Sequence, residues 1–248
     1  MKRNIRPMFF RESDFLRAWA KLLRHCLNSE SPIAFGDKNE PKVARGEIRS
    51  MVILEGNAIK QILNGAQVLG NDPRFKFGPG SIQKYIDEYK MDYINWQRSL
   101  PEGHNQKFVY TYYDRFRYYP TPTGTFDQVS ALKENLQEAI KSSIFSNRHQ
   151  MITWIPWIDA HSNSPPCLQR VWITLVDEKA LAIRLDWRSR DLFEAWHVNL
   201  IGLINMVNKD IAQPLNCKIV QTIDVCDSLH IYNGNWEEAK QTVKAFGL

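Results

Sequence analysis

The chain has 248 residues, 44% of them hydrophobic and 24% charged, with a formal net charge of +5. Those values describe a folded globular protein of one domain, two at most, and exclude a disordered or fibrous class. No apolar run reaches the roughly 18 residues of a membrane span, and the basic residues are scattered rather than clustered, which suits an anionic small ligand and argues against nucleic acid as the main partner.

The opening Met1-Lys2-Arg3-Asn4-Ile5-Arg6-Pro7 lacks a long apolar core after its charges, so no signal peptide is expected. Phe15, Ala18, Trp19, Leu22 and Leu23 recur at helical spacing and predict an amphipathic helix over 14–27. The polar stretch 29–46 reads as a loop. Residues 1–44 are therefore expected to form a helical extension and loop belonging to the same domain as 45–248. Ile48, Val52, Ile53, Ile59, Ile62 and Leu63 suggest a helix over 48–69. A loop at 71–80 follows, then a helix over 81–96 capped by Ser81. The aromatic run 108–113 predicts a strand, 127–142 a helix, and 150–158 a strand. Two apolar runs, 171–176 and 181–187, flank Asp177-Glu178-Lys179-Ala180 and read as a hairpin. A long helix over 191–210, a strand region over 218–232 and a last helix over 236–245 complete the chain. Strands mixed with helices imply an α/β (α+β) fold, a large sheet with helices packed on it.

Cys26, Cys167, Cys217 and Cys226 form no CxxC pair, so neither a zinc site nor a disulfide framework is expected, and a reducing cytoplasm fits. Cys167 is the one that attracts attention. Pro165 and Pro166 stiffen its approach, and a thiol becomes a nucleophile where nearby cations favour its thiolate. Arg188 and Arg148 are candidates for that field. Arg188 and Ser189 end a predicted strand, where a guanidinium fork and a hydroxyl suit a phosphate. Asp191 opens the following helix, a position that capping alone also explains. Asn199 is an amide on a helix that is apolar nearly all round, so it needs partners. His230 and Tyr232 alternate along a strand and share one face. Glu55 sits within Val52-Ile53-Leu54-Glu55, where burial would raise its pKa and suit proton transfer.

This ordered set, Pro165-Pro166-Cys167, Arg188-Ser189-Arg190-Asp191, Asn199 and His230-Ile231-Tyr232, resembles the thymidylate synthase family, which includes pyrimidine-nucleotide hydroxymethylases. Phe108-Val109-Tyr110-Thr111-Tyr112 and Thr153-Trp154-Ile155-Pro156 are similar to the short archaeal-type members. The likeness covers roughly residues 45–240. It implies a mixed sheet whose bare face packs on a second subunit, and a Cys167 that adds to C6 of a pyrimidine. By the same resemblance Asn199 reads uracil, Asp191 holds a pterin ring, and His230 with Tyr232 meets the sugar. Glu55 then moves protons, Tyr112 stands near the reacting carbon, and Arg148 reaches the partner's phosphate.

The implied activity is methylation of dUMP to dTMP with 5,10-methylenetetrahydrofolate or a related methylene-tetrahydropterin, without a metal. Departures from the pattern keep two alternatives open. One is a 5-hydroxymethylase of dUMP, UMP or dCMP that ends in water capture. The other is a non-catalytic nucleotide- or RNA-binding homologue. The departures are Asn147 where an arginine is expected, Leu168 after the cysteine, Trp187 before Arg188, Ala195 in place of a glycine, and only 16 residues after Tyr232. Arg45, Arg49 and Arg190 are the cations available to replace the guanidinium missing at 147.

Overall fold

Residues 6–35, 42–75 and 77–248 are described by a computed structural model. In chain order the elements are β1 (Arg6–Glu12), α1 (Phe15–Leu27), β2 (Glu30–Phe35), β3 (Lys42–Glu55), α2 (Asn57–Leu63), α3 (Gly65–Val68), α4 (Pro79–Asp87) and α5 (Met91–Ser99). Then come α6 (Tyr112–Arg117), the small hairpin β4 (Tyr119–Thr121) and β5 (Gly124–Phe126), α7 (Gln128–Ser142), β6 (Gln150–Ile152), α8 (Pro156–Asp159), β7 (Leu168–Asp177) and β8 (Ala180–Trp187). The last are β9 (Arg190–Asp191), α9 (Trp196–Val207), which runs into a π-helical turn at Asn208–Ala212, β10 (Lys218–Tyr232) and α10 (Trp236–Ala245).

A mixed sheet in the order β1-β3-β10-β8-β7-β6 forms the frame, with β2 added beside β3 and β9 beside β10. Its inner face is read directly from β3, where Ala44, Gly46, Ile48, Ser50, Val52 and Leu54 alternate into the core. α1 lies against that face with Phe15, Trp19, Leu22 and Leu23 fully buried. The Phe15 ring stacks on Trp196 at 5.3 Å, and Trp19 Nε1 donates to the Leu192 carbonyl at 2.9 Å, tying α1 to the start of α9. Gly46 permits this layering: a Cβ there would sit 2.6 Å from the Cys26 carbonyl and 2.8 Å from the Trp236 ring.

The opposite face carries Met51, Ile53, Ile223, Val225, Arg184, Asp186 and Trp172 side by side in register, all half-buried, with no helix of the described residues upon them.

Five expectations change. Residues 48–55 are strand, not helix, because β3 pairs with β1 on one side and β10 on the other. The loop expected over 29–46 contains β2 and the start of β3, and residues 36–41 of it lie outside the described residues. The run 108–113 is not a strand: Thr111 Oγ1 accepts from the Asp114 backbone N–H at 3.1 Å and starts α6. The strand expected over 150–158 ends at Ile152, and the helix expected from 191 begins at Trp196.

Candidate functional site

Cys167 lies just before β7, in a loop held by its own carbonyl groups. Arg188 Nη2 donates to the Pro165 carbonyl at 2.7 Å and Nε to that of Pro166 at 2.9 Å. The Arg188 backbone N–H donates to the Cys167 carbonyl at 2.9 Å. Prolines lack the N–H but keep the acceptor, so the Pro-Pro pair offers Arg188 two oxygens in a stiff frame. From the far side Thr153 Oγ1 donates to the Leu168 carbonyl, and Gln169 Nε2 to that of Pro166 at 2.8 Å. The result leaves Arg188 Nη2 3.9 Å from Cys167 Sγ. Burial pushes the Cys167 thiol up, and Arg188 and then Arg190 pull it back toward the thiolate.

Beside the cysteine a cavity of about 320 Å³ is lined by Glu88, Tyr89, Phe108, Tyr110, Tyr112 and Ser164, among others. Burial pushes the Tyr110 phenol up to about 12 and Tyr112 higher still, with negative charge on Cys167 adding to both. The Tyr112 ring meets Trp187 edge-on at 5.8 Å. Both phenols therefore remain hydrogen-bond donors at neutral pH. Glu88 follows the last turn of α4, and burial alone raises its carboxyl to about 7. Its neighbour Tyr89 is seated on α9, where a Cβ on Gly202 would come within 2.6 Å of the ring. That close approach brings Glu88 to the cavity wall.

Asp191 Oδ1 accepts from the backbone N–H groups of Phe193 at 2.8 Å and Glu194 at 3.0 Å. Burial nonetheless raises its carboxyl to about 6, because desolvation outweighs those two bonds. β9 runs parallel to β10 with Asp191 opposite His230. His230 is buried, and the Tyr232 ring stands against it at 4.8 Å. Burial raises the Tyr232 phenol and negative charge on Asp191 and Cys167 adds to the rise, so strand ends β7, β9 and β10 converge on one locus. On α9 the residues that stay half-exposed are Asn199 and Asn205. Asn205 donates to the Ile62 and Ile201 carbonyls, whereas the Asn199 amide makes no side-chain hydrogen bond among the described residues. Ser189 is half-buried in the turn after β8.

Two proposed site residues are not brought to this locus. Glu55 ends β3 opposite Gln221, nine residues along β10 from His230, or roughly 25–30 Å at about 3.3 Å per residue. There it is ion-paired with Arg11 at 3.5 Å. Arg148 is exposed before the edge strand β6, beside the bare sheet face. Of the cations available to replace the one missing at 147, Arg190 is buried on Asp224 at 2.5 Å, and Arg45 is held by Glu30 and the Trp236 ring. Arg49 is exposed on the outer face.

Nothing in the sequence singles out Glu88, which follows α4 in a mixed run of half-buried aromatic, apolar and charged residues. Tyr110, two residues before Tyr112, lines the same cavity. Among the described residues no cluster of three His, Cys, Asp or Glu could hold a metal ion, and no helix is long and apolar enough to cross a membrane.

A family model described as thymidylate synthase matches residues 82–245, a stretch that contains Glu88, Cys167, Asn199 and His230 and begins after Glu55. The chain is 32% identical over 163 residues to a protein of Methanothermobacter marburgensis named "Putative thymidylate synthase", covering 66% of this chain and 64% of that one. A protein of the same name from Methanosarcina mazei is 31% identical over 194 residues, covering 76% and 81%. Another, from Methanothermobacter thermautotrophicus, is 30% identical over 142 residues, covering 57% and 60%. In the first and third of these comparisons the chain spans less than two thirds of its relative's length.

Proposed function

This chain belongs to the thymidylate synthase family, and from that premise we propose that it methylates C5 of dUMP with a one-carbon unit from 5,10-methylenetetrahydrofolate or a related methylene-tetrahydropterin. The observation that carries the reading is one sulfur 3.9 Å from a guanidinium and beside two protonated phenols, which share a cavity wall with Glu88, whose carboxyl burial raises to about 7. As thiolate, Cys167 adds to C6 of the pyrimidine, and the displaced electron pair moves through C5 to O4. Tyr110 and Tyr112, still protonated, are donors suited to the developing oxyanion. Glu88, poised near neutrality, takes the proton role that sequence reasoning gave to Glu55. It accepts or returns the proton at O4 and relays the C5 hydrogen to solvent. That hydrogen leaves as a proton, and once the one-carbon unit on C5 has taken up hydride or water, cleavage of the S–C6 bond returns Cys167 as the thiolate.

Asn199 fits the pyrimidine edge, its NH2 donating to O4 and its oxygen accepting from N3–H. Arg188 and Ser189 face the phosphate, and His230 with Tyr232 the sugar. A pterin is a flat ring with polar edges. The aromatic walls of the 320 Å³ cavity suit it, as does the second oxygen of Asp191, which makes no hydrogen bond among the described residues. Tyr89, Tyr110 and Asp191 would hold it there. When bound, the carrier supplies the one-carbon unit and, for methylation, a hydride. The bare sheet face supports a homodimer, and the exposed Arg148 at its border supports a phosphate contact across that dimer.

One observation favours a second reading, capture of the one-carbon intermediate by water to give a 5-hydroxymethyl nucleotide. Phe108 and Val109 at the cavity rim are 55% and 90% exposed, so solvent reaches the wall where C5 would lie. Release of tritium from 5-tritiated dUMP, with the product separated by chromatography, tests both. Thymidylate supports methylation, the hydroxymethyl product supports water capture, and no release with uridine or cytidine nucleotides rejects both.

A further inference from the structure

We propose that Arg190 is a positioning residue for Cys167: its buried guanidinium, held between Asp224 and the Trp187 ring, supplies a fixed positive field that favours negative charge on the Cys167 sulfur. This rests on Cys167 being the nucleophile and goes beyond it, since no phosphate, pyrimidine or pterin contact falls to Arg190.

Arg190 stands between Ser189 and Asp191, where the sequence gives no reason for a cation to turn inward. It is nevertheless only 2% exposed. Its Nη2 donates to Asp224 Oδ2 at 2.5 Å, and its guanidinium carbon lies 4.1 Å from the centre of the Trp187 ring. Asp224 Oδ2 also accepts from Trp196 Nε1 at 2.8 Å. A buried arginine that served only as structural glue would form a two-pronged fork with its carboxylate. Here Nε and Nη1 of Arg190 and Oδ1 of Asp224 make no hydrogen bond among the described residues. The pair touches at one point, and the cation keeps donors to spare.

The sheet register places the pair relative to the cysteine loop. Asp224 is opposite Leu185 on β8, whereas the Cys167 carbonyl is bonded to Arg188, three residues further along. That is about 10 Å of strand, and the guanidinium lies over Trp187 between the two. Trp187 itself pairs across the sheet with Leu168, the residue after Cys167, so the guanidinium over its ring stands beside the cysteine loop. The same field favours the anions of Cys226, Tyr112 and Tyr89, and at Cys226 Asp224 opposes it. At Cys167 the charges that act are Arg188 and Arg190. The titratable neighbours of Cys167 are Tyr110 and Tyr112 from the segment entering α6, and Tyr232 and Cys226 from β10. Arg188 is half-exposed and available to a ligand. Arg190 is not, so its field persists whether or not the site is filled, and salt screens it little.

The test is the rate at which iodoacetamide alkylates Cys167 across pH, followed by mass spectrometry of the Cys167 peptide, with no substrate present. The buried Cys26, Cys217 and Cys226 serve as internal controls. Arg190→Met together with Asp224→Asn removes both charges and leaves no buried ion unpaired. The alkylation midpoint should rise by about one pH unit, an approximately tenfold slower reaction at pH 7. Asp224→Asn alone leaves the cation in place and should not raise the midpoint, and Arg190→Lys should keep it near the parent value. An unmoved midpoint in the folded double variant overturns the proposal. If the double variant does not fold, Arg190→Gln decides alone: a rise of the midpoint supports the proposal, no change or a fall overturns it. Because the readout is the thiol itself, failure to turn over dUMP leaves this result standing.

Discussion

Replacing Glu88 by Gln should weaken catalysis while strengthening the fold. Burial at the cavity wall holds the Glu88 carboxyl at about 7 against an ordinary 4.5. At about 1.4 kcal/mol per pH unit that displacement is an ionisation cost of about 3 kcal/mol above neutrality. Glu88 is only partly buried, so solvent screening reduces it to about 1–2 kcal/mol. The folded chain binds this proton more tightly than the unfolded one. Stability therefore falls as pH rises from the ordinary value of 4.5 to the folded value of about 7. Gln cannot ionise, so Glu88→Gln should melt about 2–6 °C above the parent at pH 8 and level with it at pH 4.5 by calorimetry. In the tritium-release assay the same variant should lose about 10²–10⁴ in kcat. Glu55→Gln, at the far end of the sheet, should stay within about twofold of the parent. A Glu88→Gln protein that keeps most of its kcat, or a Glu55→Gln protein that loses as much, refutes the assignment.

Asn199→Asp should shift preference from dUMP toward dCMP by at least about tenfold in kcat/KM, since a protonated carboxyl presents the reversed donor pattern to a cytosine edge; an unchanged ratio removes Asn199 from pyrimidine reading. His197 is caged by Trp19, Phe75 and Phe77 at 4.7–4.8 Å, and burial holds it neutral down to about 3. The unfolded chain binds that proton more readily, so stability is full above the ordinary histidine value and drains as pH falls through it toward about 3. His197→Phe should flatten the acid limb of the melting curve between pH 6 and 4 by a few degrees. Val225→Glu places a charge on the bare sheet face without touching the inner core. Sedimentation should then report monomer where the parent sediments as a dimer.

The elements that were legible from the chain are those with one wet face and one dry one. α1, α7 and α10 follow their apolar stripes, and the β7–β8 hairpin follows its turn. β3 was not legible, because Met51 and Ile53 on its bare face are as apolar as Val52 and Leu54 on its core face. An alternation that both faces blur reads as a helical run. α6 was hidden by its aromatic content, since tyrosine and phenylalanine favour strands until a cap such as Thr111 decides otherwise. Around the site, Cys167, Arg188, Asp191, Asn199 and His230 could be read because they stand in order along the chain. Glu88 could not, because its burial depends on Tyr89 meeting Gly202 and on residues 108–113 closing the cavity. Arg190 was hidden for the same reason, as nothing local announces that its partner is Asp224 on another strand.

The central claim is that Cys167 bonds to C6 of a uridine nucleotide during one-carbon transfer to C5. In 5-fluoro-dUMP the C5 substituent cannot leave as a cation, so the reaction should halt with nucleotide and carrier joined to the protein. Incubation with 5-fluoro-dUMP and methylenetetrahydrofolate, followed by digestion and mass spectrometry, should find their combined mass on the peptide containing Cys167 and none in Cys167→Ala. No adduct, or an adduct on any other residue, would contradict the account.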